Sequence, residues 1–257
     1  MTNYETLRLC QQDDIARLWL ARPQARNALN ETMCEELSAA FERLDADADI
    51  RCVLILAEGP VFCAGADLKE RKDKDEAWIR QRRLKSFAAY DAIAACSKPV
   101  VAVIDGPVVG SGGEIALSAD FAIASTNATF RFPEPQWGTV GATQRLQRVI
   151  GKRRAKELLF TSRTMTAGEA LQLGMIARLV EPEALAQMEA EVSSQIASAP
   201  ALAMMLTKRA VDLGEEMTLA NGIRAEMAAI EHNLAGGEWK AGLKQFDKKI
   251  GGSKKKS

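Results

Sequence analysis

The sequence predicts a mixed α/β core followed by a helical C-terminal region. Short runs of β-branched residues such as Val100–Ile104 have the length and composition of strands buried on both faces of a sheet. Two such runs lead into turns that contain glycine, and stretches of helical period follow them. From Pro182 onward nearly all of the chain is rich in Ala, Glu and Met at helical spacing. We therefore expect an α/β core over residues 1–181, a helical region over 182–250 and a disordered basic tail over 251–257.

The composition of the 257 residues is ordinary for a globular protein. Hydrophobic residues make up 47% of the chain and charged residues 26%, and 34 basic side chains balance 34 acidic ones. A formal net charge of zero creates no overall field that would attract nucleic acid or an anionic membrane. No apolar stretch approaches the ~20 residues that span a bilayer, and the first residues lack a signal-peptide pattern. We expect a cytoplasmic protein with no DNA partner and no membrane span.

The cysteines and the histidine limit the kinds of catalytic and metal site that the chain can form. Five scattered cysteines without a C-x-x-C pair indicate reduced thiols rather than a disulfide framework or a zinc site. The single histidine, His232, lies in a predicted helix, which argues against a Ser-His-Asp triad and against a multi-histidine metal site. Any catalysis would then depend on carboxylates and backbone dipoles, and we expect no metal.

The chain begins with a predicted hairpin. Residues 4–9 and Ile15–Leu20 alternate apolar and polar side chains on either side of an acidic turn, a pattern typical of two antiparallel strands. Asn30 is a suitable N-cap for a helix over residues 31–44, because its side-chain oxygen can accept a hydrogen bond from a free N–H group of the first turn. Cys52–Ala57 predicts the next buried strand.

Two segments separate that strand from Val100–Ile104. Residues 61–70 have a strand-like start and then bend at small residues, and residues 69–76 predict an exposed connection. Residues 78–95 have helical spacing, which Pro99 ends.

The later predicted elements are shorter. Residues 121–124 predict a strand, and residues 130–143, with two prolines and two glycines, predict an irregular segment. The remaining predictions are helices over Gln144–Ile150, 153–160 and 167–173, the last capped by Thr166 and ended by Gly174, and a final strand over 175–180.

The turn that follows Val100–Ile104 carries the main functional signal. Gly110, Gly112 and Gly113 allow a sharp bend and leave backbone N–H groups uncovered. A helix that begins near Ser111 would point its free N–H groups and the positive end of its dipole at a phosphate or a developing oxyanion. Glu114 would lie about one turn inside this helix, beside the same spot.

Several interpretations of this turn can be compared. The phosphate-loop pattern G-x-x-x-x-G-K-[ST] is absent, residues 110–114 do not match G-x-G-x-x-G, and Glu114 would repel a phosphate. Ser111 does not match the nucleophile elbow G-x-S-x-G, which requires glycine where Val109 stands. A carboxylate beside an oxyanion site fits proton transfer, whereas a tight strand-to-helix connection would explain the glycines without any function.

Four blocks, in order, resemble the enoyl-CoA hydratase/isomerase (crotonase) superfamily, and the resemblance extends from about Tyr4 to Lys249. Residues 61–70 contain A-G-A-D-L-K-E, and residues 110–120, after Ile104-Asp105-Gly106, contain G-x-G-G-E-I-A-L-x-x-D. Pro133-Glu134 and residues 143–146 follow. The first two blocks are highly specific for the superfamily and much less specific for its reaction. The resemblance implies a crotonase-like ββα-spiral core, a C-terminal helical trimerisation region, and a homotrimer or a hexamer of two trimers.

The resemblance also implies an acyl-CoA substrate and roles for individual residues. The thioester carbonyl oxygen would lie between the backbone N–H groups of Ala66 and Ser111. Glu114 would take a proton from the water that attacks C3, and Glu134 would supply one to C2. No separate cofactor is implied, because coenzyme A is part of the substrate. The positions that match CoA-binding residues, the last two of which in some members reach a neighbouring subunit, are Arg26, Ala28, Ala64, Asp67, Leu68, Phe246 and Lys249.

Two departures from the family pattern leave the reaction open. Ser111 stands where the family usually has glycine, so a Cβ atom and a hydroxyl border the acyl pocket. The connection over residues 138–142 is a few residues shorter than usual, and Trp137 beside it either fills part of the acyl space or belongs to the core.

Hydration of an enoyl-CoA in fatty acid metabolism is the favoured reaction. The alternatives on the same scaffold are double-bond isomerisation, dehydration of a substituted acyl-CoA and thioester hydrolysis. A non-catalytic RNA-binding role is a further class, and its basic clusters would be residues 80–85, residues 152–156 and the tail.

Overall fold

The computed structural model of the chain describes residues 4–240 and 242–243, and two sheets organise it. In the larger sheet six strands follow the order β1-β2-β3-β4-β6-β9, in which only the β1–β2 pair is antiparallel. The smaller sheet has the order β5-β7-β8. The strands are β1 (Leu7–Gln12), β2 (Ile15–Leu20), β3 (Cys52–Ala57), β4 (Val100–Ile104), β5 (Pro107–Val109), β6 (Phe121–Ser125), β7 (Thr129–Arg131), β8 (Met165–Thr166) and β9 (Arg178–Val180).

Helices connect and cover these strands. They are α1 (Glu31–Ala46), α2 (Glu76–Ala95), α3 (Ser111–Ser118), α4 (Gln144–Ile150), α5 (Lys152–Thr161), α6 (Ala167–Gln172), α7 (Leu185–Ala197), α8 (Ala201–Glu215) and α9 (Leu219–Gly236). Short 3₁₀ turns are found at Pro23–Ala25, Lys69–Arg71, Glu134–Trp137 and Pro182–Ala184. No described helix combines the length and the apolar character that crossing a bilayer requires.

Local capping sets where the long helices begin. The Asn30 side chain accepts a hydrogen bond from the Met33 N–H at 3.0 Å, which confirms the predicted start of α1. Asp75 does the same for α2 through the Trp78 N–H at 2.8 Å, so this helix begins two residues before its predicted start. Gly174 follows α6 with φ +74°, the left-handed conformation expected of a helix-ending glycine.

The central strand β4 is buried along its whole length, as predicted for a strand covered on both faces. On one face Val100 and Ala102 join the core cluster that contains α1 and α2. On the other face Val101 packs with Leu185 and Met188 of α7. The first helix of the predicted C-terminal region therefore covers the core sheet, whereas α8 and α9 pack mainly on each other.

Four stretches differ from their predictions. The first strand spans Leu7–Gln12 instead of residues 4–9, because the N–H groups of Glu5 and Thr6 donate to the Glu36 carboxylate. The last strand spans only Arg178–Val180, because the N–H groups of Met175 and Ile176 both donate to the Ala170 carbonyl and close the end of α6. The strand-like start at residues 61–63 forms a single bridge between Cys63 and Val108 instead of a ladder. The Val61 carbonyl is not free to pair with a strand, because it accepts a hydrogen bond from Asn27 Nδ2. Residues 130–143, predicted as irregular, contribute to β7 and to the turn Glu134–Trp137. The predicted tail over residues 251–257 lies outside the described residues.

Candidate active site

Two turns bring backbone N–H groups to one place. The first turn lies beside Leu29, whose N–H donates to the Gly65 carbonyl and whose carbonyl accepts from the Asp67 N–H. Because this parallel bridge uses residues on either side of Ala66, the Ala66 N–H faces away from Leu29. The Cys63–Val108 bridge joins this turn to the one that precedes α3.

The second turn delivers the beginning of α3. Gly110 has φ +47°, which favours glycine, and its N–H donates to the Arg131 carbonyl at 2.9 Å. Ser111 is the first helical residue, so its N–H has no acceptor within the helix. Ala66 and Ser111 line one cavity of about 440 Å³, and the predicted carboxylates Glu114 and Glu134 line it as well.

Glu114 is held by a cation. Its side chain lies in the first turn of α3, and the residue is only 7% exposed. Glu114 Oε2 accepts a hydrogen bond from Arg145 Nη1 at 3.2 Å. Arg145 also donates from Nη2 to Asp91 Oδ1 at 2.8 Å, and its guanidinium lies 5.6 Å from the centre of the Tyr90 ring. This network fixes the carboxylate and balances its charge.

Glu134 is held by close packing instead. An ideal Cβ atom on Gly110 would lie 2.8 Å from Glu134 Oε1, and one on Gly141 would lie 3.0 Å from Glu134 Cγ. Glu134 Oε2 is buried and has no hydrogen-bond partner among the described residues. Burial raises the pKa of Glu134, the negative charge of Glu114 raises it further, and the Arg83 guanidinium opposes both effects. A carboxyl group in this setting is well suited to holding a proton.

Both departures from the family pattern, Ser111 and the short loop after Trp137, lie at this cavity. The side chain of Ser111 forms a hydrogen bond with the hydroxyl of Tyr90. Burial raises the pKa of this hydroxyl. Trp137 lines the cavity and is 68% exposed, so it belongs to the rim and not to the core. The short loop beyond Trp137 is tied to α2, since Arg83 donates to Thr139 Oγ1 at 2.7 Å and to the Val140 carbonyl.

The residues that match CoA-binding positions divide into three groups. Arg26, Ala64 and Leu68 line the cavity. Ala28 and Asp67 lie beside it and engage Arg22: the Ala28 carbonyl accepts from Arg22 Nη1, and Asp67 Oδ2 lies 3.2 Å from the same atom. Phe246 and Lys249 lie outside the described residues. The CoA-binding roles remain predictions.

The sequence pattern indicates the two glutamates but not the arginines around them. Arg145 lies inside one of the recognised blocks, yet nothing local indicates that it would reach Glu114. Arg82 and Arg83 belong to the basic cluster over residues 80–85, which by its sequence alone indicates only a charged surface that an RNA could bind. In the structure Arg82 is 2% exposed and pairs with Glu70, and Arg83 binds the loop at the cavity.

A two-sheet spiral that directs N–H groups from two turns and two carboxylates into one cavity defines a crotonase-type protein. The family model for enoyl-CoA hydratase/isomerase matches residues 11–252. A probable enoyl-CoA hydratase from Rhizobium meliloti is 35% identical over 247 residues, which cover 95% of this chain and 95% of that protein. The chain therefore belongs to the enoyl-CoA hydratase/isomerase family.

Solved structures agree with the sequence relatives. The crystal structure of enoyl-CoA hydratase from Bacillus anthracis is similar with a TM-score of 0.92 at 30% identity, covering 95% of this chain and 97% of that one. A protein of Thermobifida fusca crystallised with acetoacetyl-CoA gives a TM-score of 0.82 at 29% identity, covering 90% of this chain and 95% of that one.

Proposed function

We propose that this protein is an enoyl-CoA hydratase, which adds water across the 2,3 double bond of an acyl-CoA thioester in cytoplasmic fatty acid metabolism. The observation that carries the proposal is the unequal pair Glu114 and Glu134 on one cavity. The Rhizobium relative and the acetoacetyl-CoA complex of the Thermobifida protein support an acyl-CoA substrate. The proposed reaction uses no metal and no cofactor apart from the coenzyme A of the substrate.

The Ala66 and Ser111 N–H groups would receive the thioester oxygen. Negative charge develops on that oxygen when water attacks C3, because the electrons of the double bond move toward the carbonyl. Backbone donors at a helix start and a fixed turn need no reorganisation as this charge appears. Oxyanion-hole deletions in other enzymes indicate about 3–4 kcal/mol of barrier for each such donor.

The two glutamates would divide the proton transfers. Glu114, paired with the Arg145 cation, would act as the base: its carboxylate accepts a proton from water as the water oxygen bonds to C3. Glu134, whose pKa is raised by burial, would donate a proton to C2 from its carboxylic acid form. Water is thereby added in balance, and exchange with solvent would return both carboxyl groups to their starting states.

The CoA part of the substrate would lie along the loop that carries Arg26, Ala28 and the 64–68 turn. Arg26 supplies a positive charge at the cavity wall, and Leu68 supplies an exposed apolar surface for the pantetheine arm. Asp67 would act by holding Arg22 and the turn in place. Phe246 and Lys249 remain proposed CoA contacts.

Incubation with crotonyl-CoA tests the proposed reaction. We expect the absorbance of the conjugated thioester to fall while a thiol reagent detects no free CoA. Folded protein that leaves this absorbance unchanged for every chain length would contradict hydration. Release of free CoA would indicate thioester hydrolysis, and solvent deuterium in an unhydrated product would indicate isomerisation.

The same proposal includes a homotrimer or a hexamer of two trimers. One side of α9 presents exposed apolar residues at helical spacing, which a subunit in isolation leaves in water. Sedimentation analysis should therefore give three or six times the mass of one chain. The residues of this stripe are Leu219, Ile223, Met227, Ile230 and Leu234.

A further inference from the structure

Arg71 is a cation that lines the cavity, and the described residues supply no hydrogen-bond partner for its buried Nε atom. It ends the short turn Lys69–Arg71, is half-buried, and faces the same cavity as Ala66 and Ser111. Its Nε atom is buried without a hydrogen-bond partner in the part of the chain that the structure describes. Burial lowers the pKa of Arg71, and the nearby charges of Arg83 and Arg82 lower it further. An anion at this place would satisfy the unpaired donor and relieve the repulsion.

Neighbouring acidic groups are already engaged elsewhere. The negative charge of Glu70 raises the pKa of Arg71. Glu70 itself, however, pairs with Arg82 and accepts a hydrogen bond from the Glu31 N–H. Among the residues that the structure describes, four arginines, two glutamates and no lysine or aspartate line the cavity. One glutamate is paired with Arg145, and burial favours the protonated form of the other. The lining therefore has an excess of positive charge. These six residues are Arg26, Arg71, Arg83, Arg131, Glu114 and Glu134.

Arg71 lines the cavity together with Tyr90, Ser111 and Glu134, the residues at its proposed reacting end. The positive charge of Arg83 lowers the pKa of Arg71 and also that of Glu134, the proposed proton donor to C2. Tyr90 raises the pKa of Arg71, and its hydroxyl forms a hydrogen bond with the side chain of Ser111, the proposed oxyanion donor. Arg26, by contrast, belongs to the loop assigned to CoA. Arg71 thus faces the space that the acyl group would occupy.

We propose that the natural acyl group carries a carboxylate at the end distant from the thioester, and that Arg71 binds this carboxylate with support from the charge of Arg83. The proposal rests on the proposed function, because it takes the thioester to lie at Ala66 and Ser111. The planar guanidinium of Arg71 can bind a carboxylate through two parallel hydrogen bonds. Arg71 is then a specificity-determining residue, and the substrate is the CoA monothioester of a dicarboxylic acid.

Calorimetric binding of two saturated thioesters tests this assignment without any turnover. Glutaryl-CoA and pentanoyl-CoA have acyl chains of the same length and differ in the terminal carboxylate. We expect wild-type protein to bind glutaryl-CoA about 10- to 100-fold more tightly, the range of a charge-assisted hydrogen bond in a partly buried site. Arg71→Met should abolish this preference, and Arg71→Lys should keep part of it. Arg80→Met, which removes an exposed arginine from α2, should leave it unchanged.

Two results would overturn the assignment. One is wild-type protein that binds pentanoyl-CoA as tightly as glutaryl-CoA. The other is an Arg71→Met variant that binds both thioesters and free CoA more weakly by the same factor, since Arg71 would then contact the CoA phosphates. Failure of the proposed hydration would appear separately, as unchanged absorbance with both crotonyl-CoA and glutaconyl-CoA, while the binding preference would persist.

Discussion

The two walls of the cavity hold their glutamates by different means. The α3 wall is part of the buried core, and it carries Glu114 on a helix whose position two sheets define. The other wall is the exposed loop that follows Glu134, joined to α2 through Arg83. Glu114 is paired with a cation, whereas Glu134 lies between two glycines, and one of its oxygens has no hydrogen-bond partner within the described part of the chain.

The two glutamates therefore differ in their surroundings: Arg145 orients Glu114, whereas burial acts on Glu134. Burial without a hydrogen-bond partner favours the protonated form of a carboxyl group, and it raises the pKa of Glu134. In the proposed mechanism Glu134 is the acid on one wall and Glu114 the base on the other. The following variants weaken one wall at a time.

The largest effects should come from replacing either glutamate with its amide. Glu114→Gln and Glu134→Gln keep the shape of the side chain but remove the proton acceptor or the carboxylic acid. We expect each to lower kcat for crotonyl-CoA by about 10²–10⁴-fold, the contribution typical of general acid–base catalysis. Binding of butyryl-CoA and the melting temperature should change little. A glutamine variant with near-wild-type kcat would remove that residue from the mechanism.

The next effect concerns the packing that holds Glu134. Gly110→Ala would place a Cβ atom 2.8 Å from Glu134 Oε1, so the carboxyl group must move. A displacement of ~1 Å from productive geometry lowers turnover by about 10²-fold. Gly138→Ala is the matched control, since Gly138 also has a positive φ but its Cβ atom would meet nothing within 4 Å. Both variants should lose stability, and only Gly110→Ala should lose most of its kcat.

A smaller effect should follow from weakening the α3 wall at Arg145. Arg145→Gln removes the cation that binds Glu114, and the lost charged hydrogen bond should lower kcat by about tenfold. Arg145→Lys should recover part of the loss because it restores the charge. Arg148→Gln, on the same helix but hydrogen-bonded to Gln144, provides the control. Equal losses in Arg145→Gln and Arg148→Gln would show that Arg145 acts only through the stability of α4.

The same two walls differ in how far the sequence could predict them. Ser111 and Glu114 follow from local signals: the glycines, the helical period and the buried strand β4 all lie within one stretch of chain. The environment of Glu134 depends on Gly110 and Gly141, which are remote from each other in sequence, and no periodic pattern reports that contact.

The environments of Arg82 and Arg83 are a clearer example of contacts that the sequence does not predict. Arg82 and Arg83 are adjacent in a run of basic residues, and the run alone suggests a charged surface. The turn of α2 buries Arg82 against Glu70 and directs Arg83 to the loop at residues 139–140. Which member of a charged run becomes buried is decided by tertiary packing, which single-sequence patterns do not encode.

The smallest expected effect is a shift in pH dependence caused by Arg83. Glu134 must be protonated to donate to C2, so kcat/KM should fall as the pH rises through the raised pKa of this residue. Arg83 lowers that pKa, and Arg83→Gln should therefore move the alkaline limb of the profile to higher pH, whatever its effect on the maximal rate. Arg80→Gln should leave the limb in place. An unshifted limb in Arg83→Gln would mean that another group controls it.

Unfolding measurements give an independent check on the same group. Because the pKa of Glu134 is higher in the folded chain than the ordinary value of 4.5, the folded state binds the proton more tightly. Its contribution to stability is fully present below the unfolded pKa and declines as the pH rises through the folded one. The free energy of unfolding of wild-type protein, compared with that of Glu134→Gln, should decrease across this window. In Arg83→Gln the decrease should extend to higher pH, which would tie the kinetic and thermodynamic shifts to one carboxyl group on the loop wall.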